Sequence, residues 1–129
     1  MERKINSIVP IVLIADDVEA NRLVLKDIIS EMGYQAVLAE NGIQALKLAQ
    51  HIKPQLIILD VAMPEMDGYE ACRRLKEDTD TKEIPVIFIS ALDEPNDIVR
   101  GFSLGGEDYI VKPFISEVVK ARVGLHLKL

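Results

Sequence analysis

The chain has the size and composition of one globular domain and an acidic charge balance. Its 129 residues are 49% apolar and 28% charged, with a formal net charge of −6 and a pI near 4.9. This balance disfavours direct binding of nucleic acid, no run reaches the ~20 apolar residues of a membrane span, and the lone cysteine excludes an internal disulfide. We therefore expect a cytoplasmic protein that does not span a membrane, with Cys72 packed in a helix.

Short apolar runs alternate with helix-like stretches along the chain. The apolar runs predict strands at residues 8–15, 34–39, 55–59, 85–89 and 109–111. The stretches between and after them predict helices over residues 18–32, 41–52, 69–77, 93–104 and 114–127. Asn41 and Gln44 fit a helix cap, and Gly33 fits the end of the first helix.

The strict alternation predicts an α/β fold. We expect a doubly wound, five-stranded parallel (βα)5 sheet of the flavodoxin-like type, with strand order 2-1-3-4-5 and helices on both faces. The composition changes at no point that would mark a linker, and no internal repeat is visible. Residues 1–129 are therefore expected to form a single domain, with its core at about residues 10–127.

Polar side chains stand where four of the predicted strands end. They are Asp16 with Asp17, Asp60, Ser90 and Lys112. Ligands of open α/β sheets lie beyond the carboxyl ends of the strands, so these side chains are expected to meet in one crevice. Three neighbouring carboxylates repel one another without a cation, and hard cations such as Mg²⁺ prefer oxygen ligands. The sequence therefore favours a magnesium site, although aspartates at strand ends also cap helices and turns.

These residues resemble a known motif set. The sequence Asp16-Asp17, residues 60–68 (DVAMPEMDG), Ser90-Ala91 and residues 108–114 (DYIVKPF) together resemble the receiver domain of two-component response regulators. The resemblance runs from about Ile11 to about Leu127. It is specific, because all the polar positions fall in the right order at strand ends.

The resemblance implies phosphoryl transfer to Asp60. This carboxylate would accept the phosphoryl group of a phosphohistidine and become an aspartyl phosphate. Asp16, Asp17, Asp60 and the main-chain carbonyl of Ala62 would hold Mg²⁺, or Mn²⁺ in its place. The domain would be a signalling protein and not an enzyme, apart from assisting its own phosphorylation and dephosphorylation.

The resemblance also assigns the phosphate contacts and the switch. Lys112, Ser90 and Ala91 would contact the phosphoryl oxygens. Ser90 and Tyr109 would form the switch, with the hydroxyl turning to the phosphoryl group and the ring moving inward. The Lys112–Pro113 bond is a candidate cis peptide.

The resemblance implies one partner that supplies the phosphoryl group and another that receives the signal. A sensor histidine kinase or a phosphotransfer protein would supply the phosphoryl group. The face of helix four, strand five and helix five would signal to an output domain, either covalently linked or separate, and the resemblance allows a homodimer on phosphorylation. The final helix stays apolar to Leu129, which favours continuation into another module, and His126 is expected at the surface or facing a partner.

Other functions share parts of this pattern. A Mg²⁺-dependent phosphohydrolase with an aspartyl nucleophile would carry an Asp-x-Asp pattern, and here Asp16 and Asp17 are adjacent. A nucleotide- or flavin-binding module would need a glycine-rich phosphate loop at this position. A receiver that is never phosphorylated is disfavoured because all the required side chains are present. Ala62 and Leu92 depart from the commoner receiver pattern, with opposite expected effects on access of water to an acyl phosphate.

Overall fold

The computed structural model of the chain describes residues 9–91 and 95–127. Its five strands are β1 (Ile11–Ala15), β2 (Gln35–Ala39), β3 (Leu56–Asp60), β4 (Val86–Ser90) and β5 (Asp108–Val111). All four strand pairs are parallel, and the order is β2-β1-β3-β4-β5. The predicted sheet and its topology are therefore confirmed.

Five helices connect and follow the strands. They are α1 (Glu19–Glu31), α2 (Gly42–Ile52), α3 (Gly68–Glu77), α4 (Pro95–Ser103) and α5 (Ser116–His126). The predicted helices are confirmed, with ends that differ by a few residues because Val18, Met32 and Ile115 are caps rather than helical residues. The predicted starts of the first strand, at Ile8, and of helix four, at residue 93, lie outside the described residues.

Local sequence explains where several helices begin and end. Asn41 caps α2, since its Oδ1 accepts the Gln44 N–H at 2.8 Å, while Gln44 Oε1 accepts the N–H of Glu40 at 2.7 Å. Asp67 caps α3 in the same way, through the N–H of Glu70 at 2.9 Å. After α1 the chain turns at Gly33, whose φ of +87° suits glycine.

Successive side chains of each strand point to opposite sides of the sheet, so the core has two faces. We call the side under α1 and α5 the aliphatic face, because its buried members among the described residues are all Val, Leu or Ile; they include Val12, Ile14, Leu25, Ile29, Ile58, Ile87, Ile89, Val119 and Val123. We call the other side the aromatic face; it includes Leu13, Ala45, Ala49, Ile57, Met63, Met66, Tyr69, Cys72, Phe88 and Tyr109.

Two further expectations concern single features of the fold. Cys72 is fully buried in α3, and burial raises the pKa of its thiol to about 11, so it is the packed helix residue that the sequence predicts. Within residues 9–91 and 95–127, no helix combines the length and the apolar character that crossing a bilayer requires.

Candidate functional site

Three carboxylates meet where β1 and β3 end. Ala15 of β1 pairs with Leu59 of β3, so the aspartates that come next along each strand are neighbours. Asp16, Asp17 and Asp60 can each offer one oxygen such that the three oxygens lie within 4.8 Å of one another. Asp16 and Asp60 are buried, whereas Asp17 is exposed. This all-oxygen donor set fits a hard divalent cation such as Mg²⁺.

Asp16 has an unsatisfied oxygen in this cluster. Its Oδ1 accepts the N–H of Val18 at 2.9 Å. Its Oδ2 is buried and has no hydrogen-bond partner among the residues that the structure describes, which is costly for a carboxylate. Burial raises the pKa of Asp16 to about 6, and the charge of Asp60 adds to the rise, while the Val18 amide and Lys112 oppose it. A bound cation would give this oxygen the partner that it lacks.

Asp60 is held between two donors. Its Oδ1 accepts the N–H of Ala62 at 3.0 Å, and its Oδ2 accepts from Lys112 Nζ at 3.0 Å. The Asp60 side chain is 3% exposed and that of Lys112 is 33% exposed. Asp17, in the same cluster, and Ala62, two residues after Asp60, are both exposed. The carboxylate therefore lies just below the surface, beside groups that solvent reaches.

The ends of β4 and β5 complete this edge of the sheet. The main-chain N–H of Lys112 donates to the Ser90 carbonyl at 2.9 Å, which ties the two strand ends together. Ser90 is buried, and its hydroxyl donates to the Ala91 carbonyl at 3.2 Å. Ala91 itself is exposed, and the Lys112–Pro113 peptide bond is cis. Ser90 and Ala91 thus lie at the same edge as Lys112, whose ammonium contacts Asp60.

Tyr109 lies on the aromatic face and is 6% exposed. Its ring centroid is 5.4 Å from that of Phe88 and 5.6 Å from that of Phe102 on α4. The space for the ring exists because Gly101 has no side chain, since a Cβ there would collide with the Tyr109 hydroxyl. The sequence suggested that this ring moves inward on phosphorylation, but in this structure it already lies inside.

Three polar contacts were not predicted, one beside the acidic cluster and two at the start of β5. Arg22 Nη1 donates to the main-chain oxygen of Asp16 at 2.7 Å. Asp108 accepts from Arg122 at 2.6 Å and lies 3.0 Å from His126 Nε2. His126, expected at the surface or facing a partner, is 17% exposed and pairs within its own domain. The spacing of Arg122 and His126, one turn apart on α5, was a signal that could have indicated a shared acidic partner.

The fold, the acidic cluster and the lysine beside it define a parallel α/β domain of the receiver class. The family model for the response regulator receiver domain matches residues 12–124. The chain therefore belongs to the family of receiver domains of two-component regulatory systems.

Similar proteins and structures agree with this assignment. The probable transcriptional regulator ycf27 of Cyanophora paradoxa is 39% identical over 112 residues, which cover 87% of this chain and 46% of that protein. Response regulator PleD of Caulobacter vibrioides is 40% identical, over 87% of this chain and 25% of that protein. The chain thus spans less than half the length of these relatives.

Solved structures show the same fold. A putative response regulator from Chloroflexus aurantiacus has a TM-score of 0.90 and 30% identity, covering 94% of this chain and 99% of that one. The signal receiver domain of a signal transduction histidine kinase from Syntrophus aciditrophicus has a TM-score of 0.85 and 40% identity, covering 92% of this chain and 90% of that one.

Proposed function

We propose that this chain is one receiver domain, spanning residues 1–129, and that it works as a phosphorylation-activated switch. Asp60 would accept the phosphoryl group from the phosphohistidine of a sensor histidine kinase or a phosphotransfer protein. The observation that carries this proposal is the position of Asp60, which contacts Lys112 at 3.0 Å and clusters with Asp16 and Asp17. Such a site places a nucleophile beside one fixed positive charge and a set of metal ligands.

The residues that would hold a divalent cation are Asp16, Asp17, Asp60 and the main-chain carbonyl of Ala62. The Oδ2 of Asp16, which has no hydrogen-bond partner among the described residues, supports this assignment. Bound Mg²⁺, or Mn²⁺ in its place, would neutralise the charge that develops on the transferring phosphoryl oxygens.

The side chains of the site would then act on the phosphoryl group itself. A carboxylate oxygen of Asp60 attacks phosphorus, the new O–P bond forms as the N–P bond to histidine breaks, and the electron pair returns to the imidazole. Lys112 moves its ammonium from the carboxylate to a phosphoryl oxygen. The Ser90 hydroxyl leaves the Ala91 carbonyl and donates to another phosphoryl oxygen, and Ala91 borders the same group.

The output of the switch would be a change at one surface. We define the output face as the surface of α4, β5 and α5, where large apolar side chains are exposed; they are Val99, Phe102, Ile115, Val118 and Leu125. Ser90 and Tyr109 would connect the site to this face, because Ser90 ends β4 at the site and Tyr109 lies on β5, which is part of the output face. An output domain or protein, or a second copy of the chain after phosphorylation, would bind there.

Phosphorylation in vitro tests the proposal directly. We expect incubation with acetyl phosphate to add one phosphoryl group, as measured by intact mass spectrometry, with Mg²⁺ but not with excess chelator. Asp60→Asn should abolish the adduct, whereas Asp27→Asn, an exposed change on α1, should leave it. Turnover of a free phosphomonoester without a stable adduct would instead identify a phosphohydrolase.

A further inference from the structure

The main-chain oxygen of Asp16 has a partner from outside its own turn. Arg22, on the first turn of α1, donates to it through Nη1 at 2.7 Å. The N–H of Asp16 donates to the Ala39 carbonyl at 3.2 Å, and Oδ1 accepts from Val18 at 2.9 Å. Asp16 is thus held from β2, from its own turn and from α1. Its Oδ2, which has no hydrogen-bond partner within residues 9–91 and 95–127, is left for a ligand.

The oxygen that Arg22 binds belongs to the peptide group that joins Asp16 to Asp17. This group is planar, so holding its oxygen fixes the orientation of the link between the two residues. A rotation of this plane would swing the Asp17 carboxylate relative to that of Asp16. Val18, the N-cap residue of α1, makes no side-chain hydrogen bond to the helix, so its side chain does not help to fix this turn.

We propose that Arg22 is a positioning residue for the divalent cation, and that it acts by fixing the peptide plane between Asp16 and Asp17. This inference rests on the proposed function, since it assumes a cation at Asp16, Asp17 and Asp60. Arg22 contacts a main-chain oxygen and not the reacting atoms, so its role is indirect.

Charge and position predict opposite results when Arg22 is replaced. A guanidinium close to the site repels a divalent cation, so loss of its charge alone would tighten cation binding. Loss of the bond to the Asp16 oxygen would loosen the pair of carboxylates and weaken binding. Partners of metal ligands typically contribute about 10- to 100-fold in metal affinity, which is larger than the effect expected from one partly exposed charge.

The test measures Mg²⁺ affinity by isothermal titration calorimetry with the metal alone. We expect Arg22→Met to weaken binding about 10-fold and Arg22→Lys, which can still donate to the oxygen, to weaken it less. Lys26→Met removes the same charge from an exposed position one turn further along α1, and it should leave the affinity unchanged. The rate of phosphorylation by acetyl phosphate in Arg22→Met should fall at low Mg²⁺ and recover at saturating Mg²⁺.

Several results would overturn the inference. Binding by Arg22→Met that is as tight as or tighter than the wild type would do so, as would a slow phosphorylation rate that persists at saturating Mg²⁺. If circular dichroism shows Arg22→Met to be unfolded, Arg22→Gln replaces it, because its shorter amide cannot span the same gap. A wild-type chain that binds no Mg²⁺ would reject the proposed function as well, whereas equal binding by wild type and Arg22→Met would reject this inference alone.

Discussion

The two faces of the sheet differ in the kinds of side chain that form their cores. On the aliphatic face, side chains such as Ile14, Ile58 and Val123 are branched and fully buried, and branched chains have few rotamers in which to settle. The aromatic face contains Met63, Met66 and a ring series that reaches the half-exposed Phe102. Methionine is unbranched and flexible, so it can repack around a neighbour that moves. We therefore expect the aliphatic face to stay fixed and the aromatic face to carry the conformational response.

Adjacent isoleucines on β3 offer the strongest test of this contrast. Ile57 and Ile58 are both fully buried and point to opposite faces. We expect Ile58→Ala to lower the free energy of unfolding by about 4 kcal/mol, because the branched neighbours leave a cavity open. Ile57→Ala should cost about 1 kcal/mol less, since its surroundings can relax. Urea unfolding followed by circular dichroism measures both, and equal losses would contradict the contrast.

At the polar edge of the sheet, the buried carboxylate of Asp16 should destabilise the fold when metal is absent. The pKa of Asp16 is raised from 3.8 to about 6, so the folded state binds this proton more tightly than the unfolded state. Ionised Asp16 therefore destabilises the folded state. This cost is absent at a pH below the pKa of the unfolded state and reaches its full size above the pKa of the folded state. Asp16→Asn should therefore raise the free energy of unfolding by about 2 kcal/mol at neutral pH. Each pKa unit corresponds to about 1.36 kcal/mol, and burying the amide in place of the carboxylate cancels part of the gain.

Two measurements check this change at Asp16. The gain should shrink as the pH falls through 6 towards 4, whereas Asp27→Asn, which is exposed on α1, should show no such dependence. With saturating Mg²⁺ the order should reverse, because ligand binding stabilises the wild type by about 2.7 kcal/mol at 100 times its Kd. A destabilised Asp16→Asn protein without metal at neutral pH would show that burial of this carboxylate is not costly.

Replacing a helical glycine by alanine on each side of the sheet offers a second comparison of the two faces. A Cβ at Gly101 would collide with the Tyr109 hydroxyl and come within 2.8 Å of Phe88, whereas a Cβ at Gly124 meets only Met32 Cε at 3.9 Å. We expect Gly101→Ala to cost about 1.5 kcal/mol and to displace the Tyr109 ring. Gly124→Ala should instead stabilise α5 by about 0.5 kcal/mol. Thermal unfolding and the near-ultraviolet circular dichroism of tyrosine report both effects, and a Tyr109 signal unchanged by Gly101→Ala would contradict the packing.

The sheet was predictable because its signal is repeated along the chain. Four strands end on a charged or hydroxyl side chain, and parallel topology then brings these side chains to one edge. The ends of α1 and α5 were less predictable. Val18, Met32 and Ile115 are apolar caps, and an apolar residue at a cap looks like one more turn of an amphipathic helix.

Contacts that depend on the backbone path lay beyond the sequence pattern. The bond from Arg22 to the Asp16 oxygen requires a particular orientation of one peptide group, which no residue type specifies. The buried ring of Tyr109 depends on the close approach of Gly101 on α4, and the residue types alone do not specify how closely this helix packs. In both cases the sequence predicted the functional residue, Asp16 or Tyr109, but not the contact that fixes its position.

A small kinetic effect is expected at the loop beyond β3. Ala62 is exposed, and its N–H holds Asp60 Oδ1 at 3.0 Å, so its short side chain leaves room beside the carboxylate. A longer side chain there would shield an acyl phosphate from water while keeping the main-chain bond. We expect Ala62→Arg to slow loss of the phosphoryl group about threefold, a change of roughly 0.7 kcal/mol in the barrier. Ala121→Arg, the same change at an exposed position on α5 over the aliphatic face, should leave the decay rate unaltered. If mass spectrometry shows equal decay for Ala62→Arg and the wild type, the side chain at position 62 does not control the access of water.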